Sequence, residues 1–224
     1  MEPIVLATGN PHKVEELRAI FAAAGVGVVG LKDLGGQFEE PHEHGKTFEE
    51  NASIKALSYA RQTGRVCLAD DSGLEIDALG GRPGVISSHY ASDGRETGAS
   101  RAERDAANNA RVLRELEGVP IAKRAARFVC VMVVARPEGR YAEDAETNGR
   151  KARVLAVARG TLEGRIGIPP RVPRGENGFG YDPLFLVAPE FAQTGAELAT
   201  TAKNRLSHRA KAAAKMAEQL RAGL

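Results

Sequence analysis

The sequence predicts an α/β protein with a long mixed central β-sheet flanked by helices. Short apolar stretches typical of buried strands alternate with stretches whose apolar residues recur at helical spacing. That alternation favours helices layered against a sheet, whereas two successive strand candidates in the middle of the chain favour some antiparallel pairing. No internal repeat or long linker divides the chain, so residues 1–224 are expected to form a single domain.

Composition and charge argue against two classes of protein, those that span a membrane and those that bind nucleic acid through bulk electrostatics. The chain has 42% hydrophobic and 27% charged residues, as ordinary globular proteins do. Its formal net charge of +2 is too small for a protein that binds nucleic acid through bulk electrostatics. The longest apolar run, residues 128–135, is far shorter than the roughly 20 residues that a membrane span needs. We therefore expect a cytoplasmic protein with no membrane and no nucleic-acid partner.

The first elements predicted are a strand at residues 4–8 and a helix that follows it directly. Asn10 suits the N-cap of that helix and Pro11 its first position, where the missing N–H costs nothing. Gly25 is expected to end it. A second buried-type strand is predicted at residues 66–69, where Cys67 is expected to be a buried thiol, as is Cys130 farther along.

Two helices carry a start signal that the sequence shows directly. Thr47 and Glu50 have the spacing of a capping box, and Ser100 and Glu103 repeat it, so helices are predicted to run from these caps to about residues 64 and 118. The remaining predicted elements are loops at residues 80–98 and 160–180, strands at 125–135, 152–157 and 183–187, and a last helix from 207 to before 223.

A candidate phosphate site lies where the first strand gives way to the first helix. Thr8, Gly9, Asn10 and Lys13 place a flexible backbone, the N–H groups of a helix start and a cation together. The alternative is a capped turn whose lysine points into water. The spacing differs from that of a Walker loop, so a standard ATPase or GTPase is not indicated.

Asp70 and Asp71 follow the strand predicted at residues 66–69. Two unit charges about 4 Å apart repel by roughly 4 kcal/mol at an effective dielectric of 20, so something must offset the repulsion. Because adjacent strand residues point to opposite faces, one acid is expected to brace the structure while the other faces a site. One interpretation is a Mg²⁺ site, and the alternative is a turn that leads into Gly73.

Acids and histidines cluster before the second helix, within residues 39–45. One of Glu39, Glu40 and Glu43 could complete a Mg²⁺ shell with Asp71. His42 and His44 suggest zinc as a second hypothesis, although no cysteine accompanies them.

Aromatic and basic residues lie near the end of the chain. Phe179 and Tyr181 are candidates for stacking on a base, and packing in the core is the alternative. Lys203, His208 and Arg209 are candidates for binding phosphate or the polar edge of a base, whereas a solvated helix start is the alternative.

Together, these segments resemble the inosine triphosphate pyrophosphatase family. They lie in the family's order and span nearly the whole chain, which makes the combination specific. The matching segments are Thr8-Gly9-Asn10-Pro11-His12-Lys13, Thr47-Phe48-Glu49-Glu50-Asn51-Ala52, Ala69-Asp70-Asp71-Ser72-Gly73-Leu74, Leu79-Gly80-Gly81-Arg82-Pro83-Gly84, Gly178-Phe179-Gly180-Tyr181-Asp182-Pro183-Leu184-Phe185 and Ser207-His208-Arg209. The chain departs from the family at Ser87-Ser88-His89-Tyr90, where an arginine is common in place of His89.

The resemblance implies a two-lobed fold with a nucleotide cleft between lobes, a homodimer and a Mg²⁺ requirement. It also implies hydrolysis of ITP, dITP or XTP to the monophosphate and pyrophosphate. Asp71 would be the proton acceptor, and Glu43 and Asp71 the metal ligands. Residues implied to bind substrate are Thr8, Gly9, Asn10, Pro11, His12, Lys13, Ser72, Phe179, Gly180, Tyr181, Asp182, Lys203, His208 and Arg209.

Three other functions are compatible with parts of the pattern. A pyrophosphatase acting on modified pyrimidine or standard nucleotides would use the same metal site. A nucleotide-binding regulator without chemistry would have little use for a carboxylate placed at a metal. RNA binding is disfavoured by the small net charge.

Overall fold

The computed structural model describes residues 2–9, 11–138, 151–178 and 180–223. Within these ranges six strands form one sheet, in the order β2-β1-β3-β4-β5-β6. The strands are β1 (Ile4–Leu6), β2 (Val28–Gly30), β3 (Cys67–Ile76), β4 (Ala125–Glu138), β5 (Lys151–Ile166) and β6 (Phe185–Val187). β1 pairs in parallel with β2 and β3, whereas β5 and β6 pair antiparallel, which confirms the predicted mixed sheet.

Helices accompany the strands in the predicted order. They are α1 (Pro11–Ala23), α2 (Phe48–Thr63), α3 (Arg101–Glu115), α4 (Thr200–Leu206) and α5 (His208–Arg221). Four of them were expected from the sequence. The seven-residue α4 was not, because a helix of two turns is too short to show an apolar period.

Both predicted capping boxes are present. The Thr47 hydroxyl accepts a hydrogen bond from the Glu50 N–H, and the Glu50 carboxylate accepts one from the Thr47 N–H. Ser100 and Glu103 exchange the same pair of bonds at the start of α3. Gly64 ends α2 with a left-handed backbone, a conformation that costs glycine least.

The described chain divides into two compact units. Unit 1 comprises Met1–Asp71, Cys130–Gly160 and Arg209–Leu224, and unit 2 comprises Ser72–Val129 and Thr161–His208. Each unit has its own apolar cluster. Residues from β1, α1, β3, β4, β5 and α5 form that of unit 1, with Leu6, Phe21, Leu68, Met132 and Met216 among its most buried members. Unit 2 buries Leu74, Ile76, Tyr90, Leu116, Ile166 and Phe185.

The end of β3 corrects one prediction. The strand does not stop at residue 69 but runs on to Ile76, so Asp70 and Asp71 lie in its middle. The buried side chains of Leu74 and Ile76 give the extension an apolar side. Gly73 therefore lies within a strand, and the turn that was the alternative interpretation does not form.

Strand β5 corrects a second prediction. It continues to Ile166, through residues that were expected to begin a loop. Alternate residues from Ala156 onward are buried, which is the period of a half-buried strand. The glycines suggested a loop, but a side chain at Gly164 would come within 2.4 Å of the Phe185 ring and the Leu186 carbonyl oxygen on β6. This glycine permits close pairing of strands.

Two further elements were not predicted: β2, and the 3₁₀ segment Gly84–Ser92 inside a predicted loop. The strands at residues 125–135 and 152–157 are neighbours in the sheet, as expected of hairpin partners. Cys67 and Cys130 are both buried, as predicted. Among the described residues, every helix is too short or too polar to pass through a bilayer.

Replacing Thr47 by Ala should lower the free energy of unfolding by about 1 kcal/mol, because the Glu50 N–H loses its acceptor at the start of α2. Urea unfolding followed by circular dichroism measures the change. Thr47→Ser keeps the hydroxyl and should remain within a few tenths of a kcal/mol of the wild-type protein. Equal loss in both variants would contradict the assigned cap.

Candidate functional site

Two neighbouring carboxylates lie in the middle of β3 and have separate partners. Lys13 from α1 binds Asp70, with its Nζ 2.8 and 3.1 Å from the two carboxylate oxygens. Lys55 from α2 binds Asp71, with its Nζ 3.1 Å from Oδ1. This separation agrees with the alternation of side chains along a strand.

Asp70 is the more buried of the two, with 1% of its side chain exposed. Besides Lys13, the Nε of Arg209 lies 3.8 Å from Asp70 Oδ2. Arg209 also donates to the Glu16 carboxylate on α1, at 2.7 Å. Two cations thus lie against the Asp70 carboxylate, and one of them also binds a second acid; all of these residues belong to unit 1.

This network determines the charge of Asp70. Burial by itself would raise the pKa of the Asp70 carboxyl, but the Lys13 ammonium and the Arg209 guanidinium outweigh burial and hold its pKa well below the usual range. Asp70 is therefore an anion at neutral pH that orients two cations. Both cations were predicted to bind substrate, and the Arg209 side chain is only 9% exposed.

Glu43, Lys55 and Asp71 form what we call the carboxylate–lysine cluster. The Lys55 Nζ lies 3.0 Å from Glu43 Oε2 and 3.1 Å from Asp71 Oδ1, so one ammonium bridges two acids. Only 13% of the Lys55 side chain is exposed. The structure thus brings together the two residues predicted to bind metal.

Local sequence explains how Glu43 reaches β3. Asn51 lies one turn before Lys55 on α2, and its Nδ2 donates to Asp71 Oδ2 at 3.4 Å. The Asn51 Oδ1 accepts from the Gly45 N–H at 2.8 Å, which holds the loop carrying Glu43 against α2. A side chain at Gly45 would come within 2.6 Å of Asn51 and Glu50, so this approach requires glycine.

Electrostatics of the cluster favour a bound cation. Burial raises the pKa of Asp71, although the Lys55 ammonium partly offsets this. Burial would lower the pKa of Lys55, but Asp71 and Glu43 outweigh it and raise it. The cluster thus sets two carboxyl groups against a single ammonium.

The donor set of the cluster fits Mg²⁺. Carboxylate oxygens are the ligands this ion prefers, and it usually takes one or two of them together with waters and substrate phosphates. Glu43 and Asp71 supply two such carboxylates. Among the described residues, no group of three or more His, Cys, Asp and Glu side chains is arranged so that it could hold a metal. His42 and His44 lie with parallel rings 6.1 Å apart on the exposed loop before α2.

The segment predicted to bind phosphate has the expected strand–turn–helix form. β1 ends at Leu6 and α1 begins at Pro11, with Thr8 half-buried and Gly9 exposed between them. Asn10 lies outside the described residues, as do the side chains of Pro11 and His12. Ser72 directly follows Asp71 in β3 and is half-buried.

Unit 2 holds the segment Gly178–Asp182, except for Phe179, which lies outside the described residues. Lys203 from α4 donates to Asp182 at 2.5 Å. Gly178 lies so close to this ion pair that a side chain there would meet the Lys203 Nζ at 2.3 Å. The structure therefore brings Asp182 and Lys203 together.

Tyr181 and His208 have their own places in unit 2. Tyr181 is 4% exposed, and its hydroxyl donates to the Ser87 carbonyl oxygen at 2.6 Å. Tyr181 thus has the core position that was the alternative interpretation of this ring. His208 stacks on Phe128, with ring centroids 5.3 Å apart.

Sequence reasoning missed Lys55 and Asn51. Nothing in the sequence spacing distinguishes Lys55 from a solvated lysine. The one available signal was that Asn51 and Lys55 are four residues apart, on the same face of a helix that begins at a strong cap.

His89 stands where the family resemblance leads one to expect an arginine. Its ring forms hydrogen bonds with Glu96 and Ser88, which lie near it in the chain.

Comparison with known proteins agrees with the resemblance found in the sequence. Residues 4–219 match the Ham1 family. The dITP/XTP pyrophosphatase of Geobacillus kaustophilus is 46% identical over 98% of this chain and 94% of its own. That of Nitratidesulfovibrio vulgaris is 46% identical over 96% and 94%. The Ham1 protein structures of Staphylococcus aureus and Coxiella burnetii, at 34% and 37% identity, cover both chains completely with TM-scores of 0.77.

Replacing Asp70 by Asn should lower the free energy of unfolding by about 3 kcal/mol at pH 7, measured without added metal, because Lys13 and Arg209 lose a buried counter-ion. A carboxyl whose pKa is lower in the folded protein stabilises the fold above its unfolded pKa, and this contribution is lost as the pH falls through the folded value. The difference between Asp70→Asn and the wild-type protein should therefore shrink in acid.

Asp93→Asn is the matched control. Asp93 also pairs with an arginine, Arg111, but 63% of its side chain is exposed. Its replacement should change stability little, since exposed ion pairs contribute little. Equal losses in the two variants would show that burial of Asp70 does not matter.

Proposed function

Because this chain belongs to the Ham1 family, we propose that it hydrolyses non-standard purine nucleoside triphosphates, namely ITP, dITP and XTP, to the monophosphate and pyrophosphate. The observation that carries the proposal is the carboxylate–lysine cluster, in which the exposed Glu43 and the half-buried Asp71 share the ammonium of the largely buried Lys55 side chain. The names of the relatives support the same reaction.

Asp71 acts as the proton acceptor in this proposal. A water attacks the α-phosphorus, its proton passes to the Asp71 carboxylate, and the bond to the bridging oxygen of the leaving pyrophosphate breaks. General-base help of this kind usually contributes 10²- to 10⁴-fold. Burial raises the pKa of Asp71, which makes it a better base than a solvated aspartate.

Glu43 and Asp71 would hold Mg²⁺. When bound, the ion supplies positive charge to the phosphate oxygens and to the leaving group. Lys55 orients both acids before the ion arrives, because its ammonium contacts each of them. The acids are thereby held together in spite of their mutual repulsion.

Substrate binding is assigned to two groups of residues in the proposal. The start of α1, residues 8–13, and Ser72 hold the triphosphate, since a helix start and a lysine favour anions. Nucleoside contacts are assigned to Phe179 and Asp182 together with Lys203, His208 and Arg209, whereas Gly180 and the buried Tyr181 position this segment. Of these, Asp182 and Lys203 form one ion pair whose donors and acceptors suit a polar base edge.

Discrimination against ATP follows from hydrogen bonding. A site whose donors meet the 6-oxo group of inosine or xanthine would face the 6-amino group of adenine donor to donor. Each buried polar group left unpaired costs roughly 1–3 kcal/mol.

We also propose that the protein is a cytoplasmic homodimer, as the resemblance implies. Light scattering on the purified protein tests whether it is a dimer.

Pyrophosphate release from ITP, XTP, dITP, GTP and ATP, with and without Mg²⁺, tests the proposal. We expect ITP, XTP and dITP to be hydrolysed roughly 10–100-fold faster than ATP at limiting concentration, as expected from one unpaired buried group. Removal of Mg²⁺ with a chelator should abolish release. Equal rates on all five nucleotides would contradict the proposed specificity. Pyrophosphate release that continues after Mg²⁺ is chelated would contradict the proposed role of the metal.

Two substitutions separate the roles within the cluster. Asp71→Asn should lower kcat about 10²- to 10⁴-fold even at saturating Mg²⁺, since the proton acceptor is lost. Glu43→Gln should instead raise the Mg²⁺ concentration for half-maximal rate by roughly tenfold, because the metal site loses a charge. Glu39→Gln is the control, because Glu39 contacts Gln62 through its backbone. A wild-type rate in Asp71→Asn would refute the role of Asp71.

A further inference from the structure

Two side chains of α3 bind a single residue of the segment Gly178–Asp182. Asp105 Oδ2 accepts from the Gly180 N–H at 2.9 Å, and the Asn109 Nδ2 donates to the Gly180 carbonyl oxygen at 3.0 Å. Asp105 and Asn109 are four residues apart, so they lie on the same face of the helix. We call these two bonds the Gly180 clamp.

The clamp uses the polar groups of the Gly180 backbone. Its N–H is committed to Asp105, and its carbonyl oxygen accepts from Asn109. Gly180 also has a positive φ of 63°, which disfavours other residues. Although the family resemblance implies that Gly180 contacts the substrate, its place in unit 2 is that of an anchor for the residues that follow it.

The residues that follow Gly180 are also attached, each to a different element. Tyr181 donates to Ser87 in the 3₁₀ segment, and Asp182 accepts from Lys203 in α4. Three successive residues are thus fixed by three elements of unit 2. The clamp holds the backbone of Gly180, two residues before Asp182, whose carbonyl oxygen in turn accepts from the Ala196 N–H at 3.2 Å.

Helix α3, which carries both residues of the clamp, is itself fixed by further hydrogen bonds. It begins at the Ser100 capping box. Asn108, next to Asn109, accepts from the Ala91 N–H and donates to the Ser87 and Ser88 carbonyl oxygens. One helix therefore fixes both the 3₁₀ segment and Gly180.

The Asn109 amide has a defined orientation. Its Oδ1 is buried and has no hydrogen-bond partner within the described ranges, so donation to Gly180 alone orients the group. The opposite orientation would set Oδ1 against the Gly180 carbonyl oxygen, which is repulsive. A carboxylate in this position would have no donor for Gly180.

We propose that Asp105 and Asn109 are positioning residues that set the affinity and selectivity of the segment Gly178–Asp182 for the nucleoside part of the substrate. The inference rests on the proposed function, which assigns nucleoside binding to this segment. All contacts of the clamp lie within unit 2, whereas the proposed proton acceptor, Asp71, lies in unit 1. Loss of the clamp therefore weakens binding of the nucleoside and leaves the chemical step intact.

Steady-state pyrophosphate release from ITP and ATP by Asn109→Asp, Asn109→Ala and Asp105→Ala tests the inference. KM for ITP should rise about tenfold, the effect of losing one hydrogen bond, while kcat stays within twofold. The ratio of kcat/KM for ITP to that for ATP should fall. Inhibition by tripolyphosphate, which has no base, should be unchanged.

Two controls accompany these variants. Asp105→Asn keeps an oxygen that can accept from Gly180 and should retain the wild-type KM. Ala110→Asp adds the same charge as Asn109→Asp at an exposed neighbouring position of α3, and it should also behave as the wild type. Unfolding midpoints show whether each variant folds. If Asn109→Asp does not fold, Asn109→Ala still tests the role of Asn109.

A wild-type KM in Asn109→Ala and Asp105→Ala would overturn the inference. So would a parallel loss of kcat and of tripolyphosphate inhibition, which would indicate general disruption. Calorimetric binding of ITP separates this inference from the proposed function. If the wild-type protein binds ITP without hydrolysing it, the proposed function fails, while the ratio of Kd values still decides the role of the clamp. Absence of ITP binding would overturn both.

Discussion

Desolvation of two adjacent carboxylates in the middle of β3 is the constraint on which unit 1 depends. A buried carboxylate costs several kcal/mol unless a cation and hydrogen bonds compensate it. Because neighbouring strand residues point to opposite sides, one cation cannot serve both acids. Lys13 and Arg209 therefore serve Asp70, and Lys55 serves Asp71. The positions of α1, α2 and the start of α5 are tied to this strand through charge as well as through apolar packing.

Cations compensate the charge of Asp70 more fully than that of Asp71, so the two acids differ in their ability to accept a proton or bind a metal. Asp70 has two cations, and its pKa is held low, so it remains an anion that orders its surroundings. Asp71 shares a single ammonium with Glu43, and burial raises its pKa. An incompletely compensated carboxylate can accept a proton or a second cation, whereas a fully paired one has little capacity for either. In the proposed function, this difference gives one member of the pair a structural role and the other a chemical role.

In unit 2, neutral hydrogen bonds as well as charge hold the segment Gly178–Asp182. Gly180 is held by α3, and Tyr181 is held by the 3₁₀ segment. Glycine is required at Gly178, where a side chain would strike the Lys203–Asp182 pair. Fixing a backbone in this way places polar groups without long side chains, whose rotamers would have to be ordered on binding.

The α/β class, four of the five described helices and the family resemblance followed from sequence, because caps, periodicity and motifs act over a few neighbouring residues. The extent of β3 and β5 did not, since strand length depends on neighbouring strands that are far away in the chain. Likewise, the sequence marked Asp71 and Glu43 but not Lys55 or the Gly180 clamp. Their roles depend on which distant groups lie within 3 Å or so of them, and only the packing of helices against strands decides that.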